Sequence, residues 1–492
     1  MSTRPGPGGP AGRMPPGMRG NLTEGPIFKT LMLFSVPTLM SNILQSLSGT
    51  VNSIWVGRLI GEDALAATAN ANIIMFLVMS AAFGFGMAGT VKIGQRFGAH
   101  DIDGARRTLG TAVGFCFMVT FAVAAAGWIL TPQLLTALGT PGAAYGLALS
   151  YLRMIFVAMP ITMVWIIVNM GLRGAGDPRT PLIFMAVTVG LDAIFNPMLI
   201  MGYGPFPKLG IMGSGLSTAC ATAISFLSML AYIYLKDLPL RLRGRELTYL
   251  KPVIDELRFI VTKGVPMGAQ MLVMSAAGII VVGLVNHEGV LTAAAYGAAM
   301  QVFTYIQMPA IAIGSAVSAM AAQYIGARKW HRIDDLTRTG ILVNGMMTGT
   351  ITVLVLLFDR PILELFLGPG SDAVPVAARI QLLAAWNFVF FGVTMVMTGT
   401  MRAGGAVWVP LFILIVSLYP VRLGFYFLTY ARLHADAIWF SFPVGAFCSL
   451  ALAALFYYRS AWREKAQAET AAEAAEEALA EGEPAGRFNP SM

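Results

Sequence analysis

From residue 30 to residue 458 the sequence is a succession of apolar runs, each long enough to cross a bilayer and nearly free of charge. The stretch 183–200 is typical, broken by a single acid, Asp192. About 20 apolar residues in a helix span the hydrocarbon core, where only helices and closed barrels satisfy their own backbone polar groups. Of 492 residues only 12% are charged and 56% are hydrophobic, against about 25% charged in an ordinary soluble domain. The 53 glycines and the prolines inside apolar runs also suit membrane helices. The chain is therefore read as an all-α integral membrane protein.

Twelve spans are expected, at about 30–56, 65–91, 108–130, 146–171, 181–203, 211–235, 264–286, 292–320, 339–358, 376–401, 408–431 and 437–458. With both termini in the cytoplasm, 26 of the 33 lysines and arginines fall in inside segments, as the positive-inside rule requires. The net charge of +8 is thereby accounted for by topology, and no nucleic-acid partner is implied. Cys116, Cys220 and Cys448 lie in separate apolar stretches without CxxC spacing, and no histidine pairs with them at metal-ligand spacing. The P-loop pattern is absent, so nothing points to a built-in ATPase.

The chain repeats itself. Gln95-Arg-Phe-Gly-Ala99 returns as Gln323-Tyr-Ile-Gly-Ala327, an offset of 228 residues; Ser35-Val-Pro37 returns as Gly264-Val-Pro266, an offset of 229. Arg173-Gly-Ala-Gly176 echoes Arg402-Ala-Gly-Gly405, and Pro181 echoes Pro410, both at 229. Six spans per half is an even number, so both halves enter the membrane from the same side. The two six-helix lobes are then related by a pseudo-two-fold axis along the membrane normal, with a cleft between them suited to alternating access. The expected organisation is a disordered Gly/Pro-rich segment at 1–28, an N-lobe at 29–235 and a linker at 236–263 carrying an amphipathic helix near 252–262. A C-lobe at 264–460 and an Ala/Glu-rich tail at 461–492, able to form a solvated helix, complete it.

Of the 25 acids, Asp192 alone lies well inside an expected span. A carboxylate there costs about 3 kcal/mol on insertion scales, which favours its protonated or cation-bound form. Asn196 follows four residues later, roughly 40° around the helix and so on the same face. Pro197 removes a backbone donor and frees the carbonyl of Ala193. A carboxylate, an amide and a free carbonyl on one helix make a candidate H⁺ or Na⁺ site; the other reading is an aspartate that only bonds a neighbouring helix. In the first span Asn42, Gln45, Gly49 and Asn52 form one polar stripe, with Asn52 the candidate partner of Asp192. Met163, Trp165, Asn169, Tyr305 and Asn387 are candidate cleft residues by depth, and Pro37 and Pro197 are candidate hinges. Arg153 and Arg422 also fall within spans, with no role apparent.

Taken in order, Ser35-Val-Pro37, Val51-Asn-Ser-Ile-Trp-Val-Gly57, Ala64-Leu-Ala-Ala67, Gln95-Arg-Phe-Gly-Ala99, Arg173-Gly-Ala-Gly-Asp-Pro-Arg-Thr-Pro181, Asn196-Pro197 and Gly210-Ile-Met-Gly-Ser-Gly215 resemble the multidrug and toxic compound extrusion (MATE) family. The likeness covers nearly all of residues 28–460. It implies a secondary transporter of the bacterial inner membrane, not an enzyme, that exports organic, often cationic aromatic compounds against uptake of H⁺ or Na⁺, without a cofactor and as a monomer surrounded by lipid. It also exposes departures. Many bacterial members have an aspartate where this chain has Asn52, and Asn then Asp four apart where it has Asp192 then Asn196. Acids of the seventh and tenth helices are missing around Met274 and Asn387. The N-lobe is then the coupling lobe, with Asp192 its sole carboxylate. Two alternatives stay open: a lipid-linked precursor flippase of related architecture, which calls for a strongly cationic cavity, and an intramembrane transferase, which calls for clustered acids or a histidine centre.

Overall fold

The computed structural model describes residues 22–137, 142–203, 207–459 and 461–480; most of the segment 1–28 and the end of the tail lie outside the described residues. The helices of the first half are α1 (Ile27–Leu59), α2 (Glu62–Gly98), α3 (Ile102–Ala137), α4 (Gly142–Gly174), α5 (Arg179–Met201) and α6 (Ile211–Leu235). A short 3-10 segment, Gly244–Leu250, leads to α7 (Ile254–His287), α8 (Val290–Gly326) and α9 (His331–Leu357). Then come α10 (Asp359–Leu367), α11 (Ala373–Ala384), α12 (Asn387–Ala403), α13 (Trp408–Val416), a π-helical turn (Ser417–Val421), α14 (Arg422–Leu433), α15 (Asp436–Tyr458) and α16 (Ala461–Ala480). Ten helical stretches are long and apolar enough to cross a membrane, and the pair α11 and α12, bent by 41°, makes an eleventh. The 37-residue α2 completes the twelve, and the chain is a multi-pass membrane protein.

These helices tolerate their many hydroxyls because the hydroxyls bond within the helix. Thr120 donates to the carbonyl of Cys116, Thr131 to Gly127, Thr188 to Phe184 and Thr337 to Ile333. Such back-bonding to the preceding turn hides a donor that hydrocarbon would leave unsatisfied. In the N-lobe one core gathers Cys116, Met163, Trp165, Phe184 and Met229, and another gathers Val56, Leu135, Tyr151 and Phe156. In the C-lobe Tyr296, Phe303, Ile380 and Trp439 form one core, and Val317, Met320, Tyr324 and Met401 another.

Two helices belong to both lobes. Leu31 and Phe34, before Pro37, pack into the C-lobe core, whereas Leu44 and Val56, after it, pack into the N-lobe. The seventh span mirrors this: Ile260, before Pro266, joins the N-lobe core, and Val281 and Val285, after it, join the C-lobe core. The lobes touch at the end carrying the basic loops. There a Cβ added to Gly98 would land on the backbone of Gln323, and one added to Gly326 would land on the backbone of Gln95. Gly84 lies equally close to Gly264 and Gly268. Toward the opposite end Gly49, Gly278, Gly283 and Gly297 face open space. The close glycine contacts between the two lobes thus gather at the basic end.

Several details differ from expectation. The seventh helix begins at Ile254, so the amphipathic stretch expected in the linker is the first turns of α7 itself. There Glu256, 4% exposed, accepts from Thr108 at 2.8 Å and faces Arg96 at 3.4 Å, a packing role rather than a surface one. The tenth span is two helices, and the eleventh contains the π-helical turn. The helix of the tail is not wholly solvated: Trp462 and Ala466 pack over Gly404, and Arg463 pairs with Asp334.

Candidate cation-binding and transport site

Asp192 sits in the middle of α5, 3% exposed, with Asn196 fully buried one turn on. Packing α5 against α6 brings hydroxyls to the acid: Ser217 Oγ donates to Oδ1 at 2.7 Å and Thr218 Oγ1 to the same oxygen at 3.2 Å. The polar groups that face the carboxylate are thus neutral hydroxyls and the amide of Asn196. Arg153, the arginine near the middle of α4, stacks instead over Trp128, 4.6 Å from the ring centre.

Asn52 reaches the cluster from α1. Its Oδ1 accepts from Asn196 Nδ2 at 2.7 Å and from Ser214 Oγ at 2.6 Å, and its amide faces the hydroxyl of Tyr151 on α4. Asn52, distant in sequence, therefore joins Asp192 and Asn196 in one polar cluster where α1, α4, α5 and α6 converge. The oxygen of Asn196 is buried and has no donor among the described residues. A buried acceptor without a donor, beside a carboxylate that no cationic side chain pairs among the described residues, is an arrangement a proton or a small cation completes. Nowhere among the described residues do three His, Cys, Asp or Glu side chains converge as a metal cluster.

Ser214, Ser217, Thr218 and Tyr151 were not singled out from sequence. The signal was present in α6, where hydroxyls at positions 214, 217 and 218 follow the i, i+3, i+4 spacing of one helix face.

The cleft candidates separate. Met163 is fully buried and Trp165 6% exposed within the N-lobe core; they pack the bundle and do not line a cleft. Depth along a helix sets a side chain's height but not its direction, and these two point inward. Asn169 is also buried, its amide donating to the carbonyl of Trp165 at 2.7 Å. Gln45 and Tyr305 are exposed, and Asn42 and Asn387 are half-buried. None of the four joins the Asp192 cluster. Pro37 stands where α1 changes lobes, and Pro197 lies inside α5 next to Asn196.

A bundle of twelve membrane helices in two repeated lobes, with one buried polar cluster inside a lobe, is the build of a secondary transporter. The comparisons with known proteins give that class a family. A family model described as MatE matches residues 37–198 and, a second time, residues 266–428, one match on each lobe. The chain is 34% identical over 441 residues to the "Probable multidrug resistance protein YoeA" of Bacillus subtilis (strain 168), covering 89% of this chain and 95% of that protein. It is 29% identical over 444 residues to the "Probable multidrug resistance protein YpnP" of the same organism, covering 90% and 97%. A solved structure described as an outward-facing conformation of a multidrug resistance MATE family transporter superposes with a TM-score of 0.83 at 19% identity, covering 90% of this chain and 98% of that one. The chain belongs to the multidrug and toxic compound extrusion family, whose members are multidrug transporters rather than enzymes.

Proposed function

We propose that this protein is an antiporter that exports organic compounds across a bacterial inner membrane against the entry of H⁺ or Na⁺, with both termini in the cytoplasm. The observation that carries this reading is Asp192, a buried acid that only neutral groups face among the described residues. Occupancy by a proton or Na⁺ neutralises it. That alters the pull of the cluster on Asn52 and hence on the half of α1 beyond Pro37. Because the first half of α1 is packed in the other lobe, an ion bound in the N-lobe acts on the contact between lobes. A bound ion shifts the equilibrium only by its difference in affinity for the two states, and a lone carboxylate that must shed its ion in one of them provides such a difference. A lone carboxylate also favours H⁺ over Na⁺. Gln45, Asn42, Tyr305 and Asn387 remain candidates for substrate contact. Among the described residues no three His, Cys, Asp or Glu side chains converge into the kind of centre that the transferase alternative calls for.

The test is transport by purified protein in liposomes with H⁺ and Na⁺ gradients imposed separately. Asp192→Asn is expected to insert and bind substrate normally while losing gradient-driven transport. Full transport by that variant would remove Asp192 from the mechanism.

A further inference from the structure

The C-lobe carries its own half-buried charge at the position that corresponds to Asp192, and its sign is opposite. The repeat that takes Pro181 onto Pro410 takes Asp192 onto Val421. Ser417–Val421, however, is a π-helical turn. Closing a turn i to i+5 accommodates one residue more than an α-turn, so the side chain in the corresponding place is Arg422, at the start of α14. Arg422 stands near the middle of the span Trp408–Leu433.

Its surroundings are aromatic. The guanidinium carbon lies 3.5 Å from the ring centre of Phe442, and Nε donates to Ser441 Oγ at 3.4 Å. Tyr296 is close enough for electrostatic contact and is itself stacked on Trp439 at 5.6 Å. Gly445 keeps this wall open, since a Cβ there would meet Arg422 Cβ at 3.4 Å. At the π-turn the hydroxyl of Ser417 is buried without a partner among the described residues. The acids at the edge of this lobe are engaged elsewhere: Asp436 with Arg379 at 2.9 Å, and Glu288 with the hydroxyl of Tyr430 at 2.7 Å. Among the described residues no carboxylate pairs with Arg422, and its terminal nitrogens have no hydrogen-bond partner. Arginine is costly at bilayer depth and marks a ligand or ion path by default. Its planar fork matches a carboxylate or phosphate edge to edge.

We propose that Arg422, held in place by the core rings of Phe442 and Tyr296 behind it, is the receptor for an anionic group, a carboxylate or a phosphate, on an amphipathic organic substrate. This rests on the export reading above and extends it: the N-lobe takes the coupling cation, and the C-lobe selects substrates that carry an acid, zwitterions included.

Rhodamine B, which has a free carboxylate, and rhodamine 6G, its esterified cationic relative, form the probe pair. Their binding to purified protein is read by fluorescence polarisation, without any gradient. Arg422→Gln is expected to weaken rhodamine B binding at least tenfold while leaving rhodamine 6G within twofold. Arg422→Lys, which keeps the charge and loses the fork, is expected to fall between. Retained rhodamine 6G binding shows that the variant is folded. Rhodamine B binding that is absent in the unaltered protein or unchanged in Arg422→Gln overturns the proposal, as does equal weakening of both dyes. Because no gradient is involved, a failure of coupled export would leave this result standing, and the reverse holds as well.

Discussion

Asn52 shows how much one neutral side chain can join. A single amide oxygen ties α1 to α5 through Asn196 and to α6 through Ser214, so that α1 senses the state of Asp192. Each such bond contributes about 1 kcal/mol net. Asn52→Leu removes both and leaves two donors stranded. Proton-driven dye efflux from everted vesicles is therefore expected to fall about tenfold or more, since about 1.4 kcal/mol is a factor of ten, while expression and dye binding stay near normal. Asn52→Asp restores the acceptor and is expected to retain efflux. Equal efflux from Asn52→Leu would detach α1 from the ion site. The heart of this cluster was readable in advance, because positions four apart on a helix share a face and because an acid within a span is rare. Its hydroxyl half was overlooked, since serine and threonine in membrane helices usually bond only to their own backbone. Met163 and Trp165 lie in the N-lobe core for a different reason: hydropathy gives depth, and packing alone decides which neighbour a side chain at mid-depth faces.

At the level of elements the repeat at 228–229 foretold more than architecture. Pro37 and Pro266 occupy the same place in the two halves, and each marks where its helix leaves one lobe's core for the other's. The sequence gives the prolines but not this exchange of partners, which only long-range packing decides. Likewise Pro420 marks a disturbed turn but does not say that the turn widens to a π-helix, so the sequence alone does not match Arg422 to Asp192. The paired glycines can be tested. Gly326 sits against the backbone of Gln95, and backbone cannot swing aside as a flexible side chain does. Gly326→Ala is expected to disfavour the closed basic end by about 1–3 kcal/mol. Spin labels placed by His100→Cys and His331→Cys, in a background with Cys116, Cys220 and Cys448 replaced by alanine, should show a longer and broader distance distribution in that variant. An unchanged distribution would mean that the glycine contact does not set the separation of the lobes.

For the molecule as a whole, what matters is which end is shut and what holds it. Two bonds cross between lobes near the pseudo-two-fold axis, each from a glutamine of the repeated motif to the helix end bearing the other repeated motif. Gln95 Nε2 donates to the carbonyl of Ala403 at 2.8 Å, and Gln323 Nε2 donates to the carbonyl of Gly174 at 3.2 Å. The chain's own start reinforces one of them: the backbone N–H of Leu22 donates to Gln323 Oε1 at 3.0 Å, and Lys329 holds Thr23 at 3.2 Å. These motifs are thus a clasp at the basic end, which explains why they recur with constant spacing although they lie away from Asp192. At about 1 kcal/mol net per buried neutral bond, removing both should move the balance between closed and open by about 2 kcal/mol, close to thirtyfold. A cysteine introduced by Ala322→Cys, whose methyl lies 2.9 Å from a Cβ added to Gly94, reports on that balance. With Gln95 and Gln323 intact it should resist a membrane-impermeant maleimide. With Gln95→Ala and Gln323→Ala combined, labelling at equal reagent should rise by an order of magnitude or more, and each single substitution should give roughly the square root of the combined effect. Labelling that stays low in the double variant would place the hold on the closed end in the apolar helix contacts, and not in the glutamines.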